Sequence, residues 1–312
     1  MNEGIQKGIL DKTSELNENS QEHLDRVAKI TKRLNEYISG VEFLTSSEIQ
    51  RDIDELTGYT ILAPVPIPLI NGIAISRAVK YSEDTGCAYS DVQRLSYIPD
   101  NIGVEPSKGR LNQKGESIFY SCMNSDSNSL GTILSECRAN ECDIFNILQC
   151  KTKLNNPQNQ YGTSLSVVPV GINDYFRRGV STPFNLNSTF REMYELIVKN
   201  THPTAMLAMQ LCDAFLTDVL SRNESERLYD VTAAIAAECL KPEVLDGILY
   251  PSTKFEGFPN LAIKPTSVDN KLRYESALSI KVNRSFGYGM YQTTTLRQGL
   301  VNGREILWSS TP

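Results

Sequence analysis

From about position 20 the apolar residues recur at helical spacing. Val27, Ile30, Leu34, Tyr37, Ile38 and Val41 form one stripe, and Asp25, Arg26, Lys32, Arg33 and Glu36 fall on the other face. Ser20 is positioned to cap this helix, which runs to about Ser39, and Gly40 to end it. A second helix, capped by Ser46 or Ser47, carries Ile49, Ile53 and Leu56 and stops at Thr57-Gly58. Residues 1–58 therefore form a helical front, which either packs on a main domain or meets a partner.

The pattern then changes. Alternating prolines between Leu62 and Leu69 favour an extended, polyproline-like connector, and the domain boundary is drawn there. A strand is expected over Ile73–Val79, with Arg77 at the end of an apolar run. Glycines then punctuate a loop at Gly109 and Gly115. Ser117–Tyr120 reads as a short buried strand, and the polar run from Asn124 to Asn128 as a turn or cap. Ile133, Leu134 and Cys137 share one face of a short helix that carries Glu136. Apolar runs around 144–148 and 165–170 follow, with a loop from Asn155 between them. Residues 183–222 have helical period, Pro203 suits a first turn, and an Ala-rich helix over Tyr229–Leu240 is expected to lie buried on a sheet. Gly247–Tyr250 is a strand that Pro251 ends, so Ser252 sits on its exit loop, and Asn260 opens the next strand. From 266 to 312 the residues alternate as in strands, with turns at Gly287-Tyr288-Gly289 and Asn302-Gly303, which predicts a β-rich extension.

Composition narrows the class. At 312 residues, 40% hydrophobic and 22% charged, the chain can bury a substantial core as one large or two ordinary domains. The net charge of −6 argues against a nucleic-acid surface. The first residues lack a charged region followed by an apolar one, and the apolar run near 61–75 is broken by prolines. Neither a secretory signal nor a membrane helix is expected, and the expected location is the cytoplasm. The seven cysteines are irregularly spaced without a Cys-x-x-Cys, as free thiols would be, and His23 and His202 lack the pairing of a metal site.

The candidate chemistry gathers around Gly109–Glu136. An arginine in a glycine-flanked loop can grip a phosphate through two donors, a strand-end tyrosine can stack on a flat ring, and a nearby carboxylate can stabilise a cation forming at a sugar carbon. On local chemistry alone, a surface arginine, a core tyrosine and a solvated glutamate are the stronger reading of the same three residues. Ser252 lacks a Gly-x-Ser-x-Gly elbow and a nearby histidine, so it suits hydrogen bonding better than nucleophilic attack.

Six blocks, in order, resemble the RES family of bacterial toxins and relatives. They are Ile75-Ser-Arg77-Ala, Gly109-Arg110-x-Asn112-x-x-Gly115, Ile118-Phe-Tyr120-Ser121, Thr132-Ile-Leu-Ser-Glu136, Asp246-Gly-Ile-Leu-Tyr250-Pro-Ser252 and Asn260-Leu-Ala-Ile. Together they cover roughly 70–265. The resemblance implies an α+β, ADP-ribosyltransferase-like fold of small split sheets with helices. It implies a catalytic domain over 59–265 with a helical insertion at about 183–240, flanked by the helical front and a β-rich extension over 266–312. It implies NAD as substrate rather than cofactor, cleaved at the nicotinamide–ribose bond by water or phosphate, so that growth stops. The functional residues would be Arg77, Arg110, Tyr120, Glu136 and Ser252, with Asn112 in the binding loop. Arg77 and Arg110 would hold the pyrophosphate, Tyr120 would stack on nicotinamide, Glu136 would bind a ribose hydroxyl and stabilise developing charge, and Ser252 would hold an amide or hydroxyl. Compact relatives pair with a helix-turn-helix antitoxin; here an inhibitory protein or a homo-oligomer is the corresponding expectation. The chain departs from the compact pattern in its helical front, its β-rich end, its helical insertion and Leu111. ADP-ribosyl transfer to a macromolecule, and binding without catalysis, are the competing readings.

Overall fold

The computed structural model describes residues 3–62, 64–67, 74–99, 103–124, 129–153, 164–171, 174, 177–179, 187–223, 225–252, 254 and 259–310. Three helices lead: α1 (Glu3–Asn17), α2 (Ser20–Ser39) and α3 (Ser46–Thr57). Strands β1 (Val65–Ile67), β2 (Ala74–Lys80) and β3 (Phe119–Asn124), helix α4 (Ser129–Glu136) and strands β4 (Ile144–Thr152) and β5 (Leu165–Pro169) follow. Helices α5 (Asn187–Asn200), α6 (Pro203–Ser221) and α7 (Glu226–Cys239) precede β6 (Gly247–Pro251) and β7 (Pro259–Ile263). Helix α8 (Pro265–Lys271) leads into β8 (Leu272–Gly287), β9 (Met290–Asn302) and β10 (Glu305–Ser310). The class is α+β. Among the described residues no helix is long and apolar enough to cross a membrane.

Contacts divide the chain into two compact units, one of Met1–Val65, Ser107–Lys114 and Val168–Phe258, the other of Pro66–Pro106, Gly115–Val167 and Pro259–Pro312. The sequence suggested three contiguous stretches. The grouping differs because the apolar faces of the helical front and of the expected helical insertion bury one another: α1 packs on α5, α2 on α6 and α3 on α7. Ile9 and Leu16 of α1 share a core with Met193, Ile197, Ala205 and Met209. Helix α7 packs mainly on α3 and α2 instead of lying on a sheet as expected. The front is therefore half of a helical unit rather than an appendage.

Local signals fix the helix ends. Gly40 takes φ 84° and closes α2 with backbone bonds to Glu36 and Tyr37, a conformation that a side chain resists. Helix α3 is capped by Thr45 rather than Ser46 or Ser47: its hydroxyl accepts from Glu48 N, and the Glu48 carboxylate accepts from Thr45 N in return. Ser20 starts α2 but does not cap it; Asn19, in the left-handed region, precedes it. Val41 lies beyond the helix and is 79% exposed, whereas Val27, Ile30, Leu34 and Tyr37 are buried.

The second unit is built on antiparallel strands in the order β7-β3-β2-β4-β8-β9-β10. One face is covered by α4, where Leu134 meets Phe145, Ile147, Ile280 and Val282, with Leu130 and Cys137 alongside. The opposite face is covered by the 87–97 segment: the Asn146 amide accepts from Tyr89 N and donates to Cys87 O, and the Ser96 and Tyr274 hydroxyls lie 2.5 Å apart. The C-terminal strands do not lie on a core sheet; β8 pairs with β4, with one register irregularity between Gln149 and Cys150, and extends the same sheet sideways. Strand β3 starts at Phe119 and runs to Asn124, later than expected, because Ser121 and Cys122 still pair with β7 across the sheet. The proposed starting residue Ile73, the turn residues from Ser125 to Asn128 and the loop from Asn155 lie outside the described residues.

Candidate active site

Strand register decides which side chains can meet. Ser76 of β2 lies opposite Cys122 of β3, and Cys122 lies opposite Asn260 of β7. Successive side chains point to opposite faces, so Tyr120, Cys122, Asn260 and Ala78 share the face that α4 covers. Glu136 ends α4 above this face, half-buried. Its Oε1 accepts from Asn260 Nδ2 at 2.9 Å, and Asn260 Oδ1 accepts from the Cys122 thiol at 3.1 Å. Asn260 is 3% exposed, and both neighbours hold its amide. Burial, and then the charge of Glu136, pushes the Cys122 thiol well above its ordinary pKa, so it remains a donor. Cys137, next along the chain from Glu136, is pushed up to about 11 by burial against the pull of Arg77.

Arg77 turns the other way. Its guanidinium carbon lies 5.5 Å from the centre of the Phe119 ring. Nη1 donates to the Tyr120 carbonyl at 2.9 Å, and Nε is buried without a hydrogen-bond partner. Burial lowers its pKa, and among the described residues no carboxylate forms an ion pair with it. The arginine thus braces the Tyr120 backbone, while the Tyr120 side chain projects from the opposite face.

The remaining expected residues belong to the helical unit, and each serves the chain itself. Arg110 Nη1 donates to the Leu220 carbonyl and Nη2 to the Arg222 carbonyl, both at 3.0 Å, and the guanidinium lies 5.9 Å from the centre of the Tyr229 ring. It thereby satisfies carbonyls left open at the end of α6. The neighbouring Lys108 pairs with Asp230, whose other oxygen accepts from the Tyr37 hydroxyl at 2.8 Å. Asn112 is buried and donates to the Ser107 and Gln113 carbonyls, both at 2.9 Å, which shapes the loop. Ser252 is buried, and its hydroxyl accepts from Lys254 N at 3.1 Å. His202 caps α6 by accepting from Thr204 N, and His23 Nδ1 donates to the Leu16 carbonyl. Among the described residues no group of three or more potential metal ligands occurs. An open cleft of about 520 Å³ in the second unit, lined by Ser90, Asp91, Arg304, Glu305 and Ile306, shares no residue with the Glu136 cluster.

Of the expected set, Tyr120 and Glu136 share a face and Arg77 sits behind them, while Arg110, Asn112 and Ser252 are held within the helical unit. Asn260 and Cys122 are the residues that motif reading passed over. The available hint was a polar side chain heading an otherwise apolar strand, Asn260-Leu-Ala-Ile. Scans against protein-family models, characterised proteins and solved structures find no match.

Proposed function

We propose that the chain cleaves the nicotinamide–ribose bond of NAD, with Glu136 as the catalytic carboxylate. One observation carries this reading: a helix-terminal carboxylate, held by a buried amide, stands on the sheet face that also bears Tyr120. In the reaction the C1′–N bond breaks and its electron pair leaves with the pyridine nitrogen, neutralising nicotinamide. The ribose carbon becomes oxocarbenium-like, and water or phosphate attacks it. Glu136 stabilises that charge and holds a ribose hydroxyl, and Tyr120 offers a ring for stacking. Arg77 steadies the Tyr120 strand through its bond to the Tyr120 carbonyl. The resemblance to RES toxins supports the same reaction, with growth arrest as its consequence.

A second reading is a partner-binding protein without chemistry: Arg110 and Asn112, both expected to grip substrate, are committed to backbone carbonyls instead, which counts against NAD cleavage. Nicotinamide release from NAD separates the two. The purified protein is expected to release nicotinamide, and Glu136→Gln to lose on the order of 10²–10³ in rate while keeping its fold. Folded wild type that releases none, with or without phosphate, refutes the catalytic reading.

A further inference from the structure

The buried amide beside Glu136 has its two ends specified by chemistry. A carboxylate only accepts, so it takes the amide N–H; a thiol offers a proton, so it takes the amide oxygen. Cys122 and Asn260 stand directly opposite each other on neighbouring strands, so their approach is set by sheet register rather than by loose side chains. The contacts of 3.1 Å to the thiol and 2.9 Å to the carboxylate form one line, Cys122 to Asn260 to Glu136. An amide this buried cannot exchange its partners for water, and reversing it would set oxygen against carboxylate.

We infer that Asn260 is the positioning residue for Glu136, and that the Cys122 thiol fixes the direction in which the Asn260 amide faces. Asn260 acts through Glu136 and need not touch substrate; the inference rests on the reading of Glu136 as the catalytic carboxylate. A hydrogen bond from a buried, fixed amide pins the carboxylate rotamer. Without it, Glu136 samples other directions. Substituting serine at 122 preserves an O–H donor for the amide oxygen, whereas valine removes it.

The test measures kcat and KM for NAD cleavage and, independently of activity, the mobility of the Glu136 side chain by ¹³C NMR relaxation. For Asn260→Ala the expected result is a kcat loss on the order of 10–100-fold, near-constant KM, and a more mobile Glu136 side chain. Cys122→Val should give a smaller change in the same direction, and Cys122→Ser should restore wild-type behaviour. If Asn260→Ala fails to fold, Asn260→Ser is compared instead, because its short hydroxyl cannot bridge both partners. An unchanged Glu136 mobility in a folded Asn260 variant overturns the inference, as does an equal loss with Cys122→Ser and Cys122→Val. A wild type that cleaves no NAD but whose Glu136 gains mobility in the Asn260 variants overturns the catalytic reading and leaves the positioning intact.

Discussion

Arg110 illustrates how one residue type serves two chemistries. A guanidinium in a glycine-flanked loop suits a phosphate, and nothing local distinguishes a phosphate from a row of open carbonyls at a helix end. The distinction lies more than a hundred positions along the chain, at Leu220 and Arg222. The prediction follows from the bonds Arg110 makes. Arg110→Ala should lower stability by about 1–3 kcal/mol in thermal or urea unfolding, with an unchanged KM for NAD. A raised KM with an unchanged melting temperature would instead make it a substrate ligand. Arg77 shows the same limit: its place at the end of an apolar run was legible, but its turn to the face opposite Tyr120 depends on strand register. Asn260 was hidden for a related reason, since its value comes from Cys122 and Glu136, which no sequence window contains.

At the scale of elements, the helices were legible wherever stripe and punctuation agreed. The stripe of α2, its end at Gly40, and Pro203 at the start of α6 read directly. Helix α1 was not singled out because its buried residues, Ile9, Thr13 and Leu16, include a polar one. Helix α6 also carries a feature no pattern disclosed. Asp213 is fully enclosed, accepts from Asp174 N at 2.5 Å, and is pushed up to about 7, by burial first and with the Asp174 charge adding. Asp174 is in turn paired with Arg177 and Arg178, at 2.5 Å and 2.7 Å. Beside them Thr217 donates to the Gly171 carbonyl at 3.0 Å. Gly171 has φ +77°, and a Cβ there would meet the Thr217 hydroxyl at 2.6 Å. The folded pKa of Asp213 lies above its unfolded value near 3.8. Its contribution to stability is therefore full below about pH 4 and is lost as pH rises through about 7. Asp213→Asn keeps the acceptor and removes the ionisation. It should stabilise the protein at pH 8 by up to about 3–4 kcal/mol relative to wild type, and the difference should shrink toward pH 5 in urea unfolding. Equal stability differences at both pH values would count against a raised Asp213.

At the scale of the whole molecule, the reading makes a prediction about cells and products. Expression of the wild type should deplete NAD and arrest growth, and Glu136→Gln should relieve both, followed by cell density and NAD content. Mass spectrometry of the products with and without phosphate distinguishes hydrolysis, phosphorolysis and transfer; arrest that persists with Glu136→Gln would reject NAD cleavage as its cause. The molecule also shows where sequence reading stops. The α+β class, the helix-ending turn at Gly40 and the alternation of the C-terminal strands were set within short windows, because periodicity and φ preference act over a few residues. An apolar stripe, however, states only that a face is buried, not what buries it. The tertiary structure decided that the front helices pair with α5, α6 and α7, that the loop at Arg110 belongs to that helical unit, and that β8 extends the sheet of β4. It also decided which side of the sheet each polar residue occupies, because a strand exchanges its faces with a shift of one residue, and only pairing with its neighbours fixes that register.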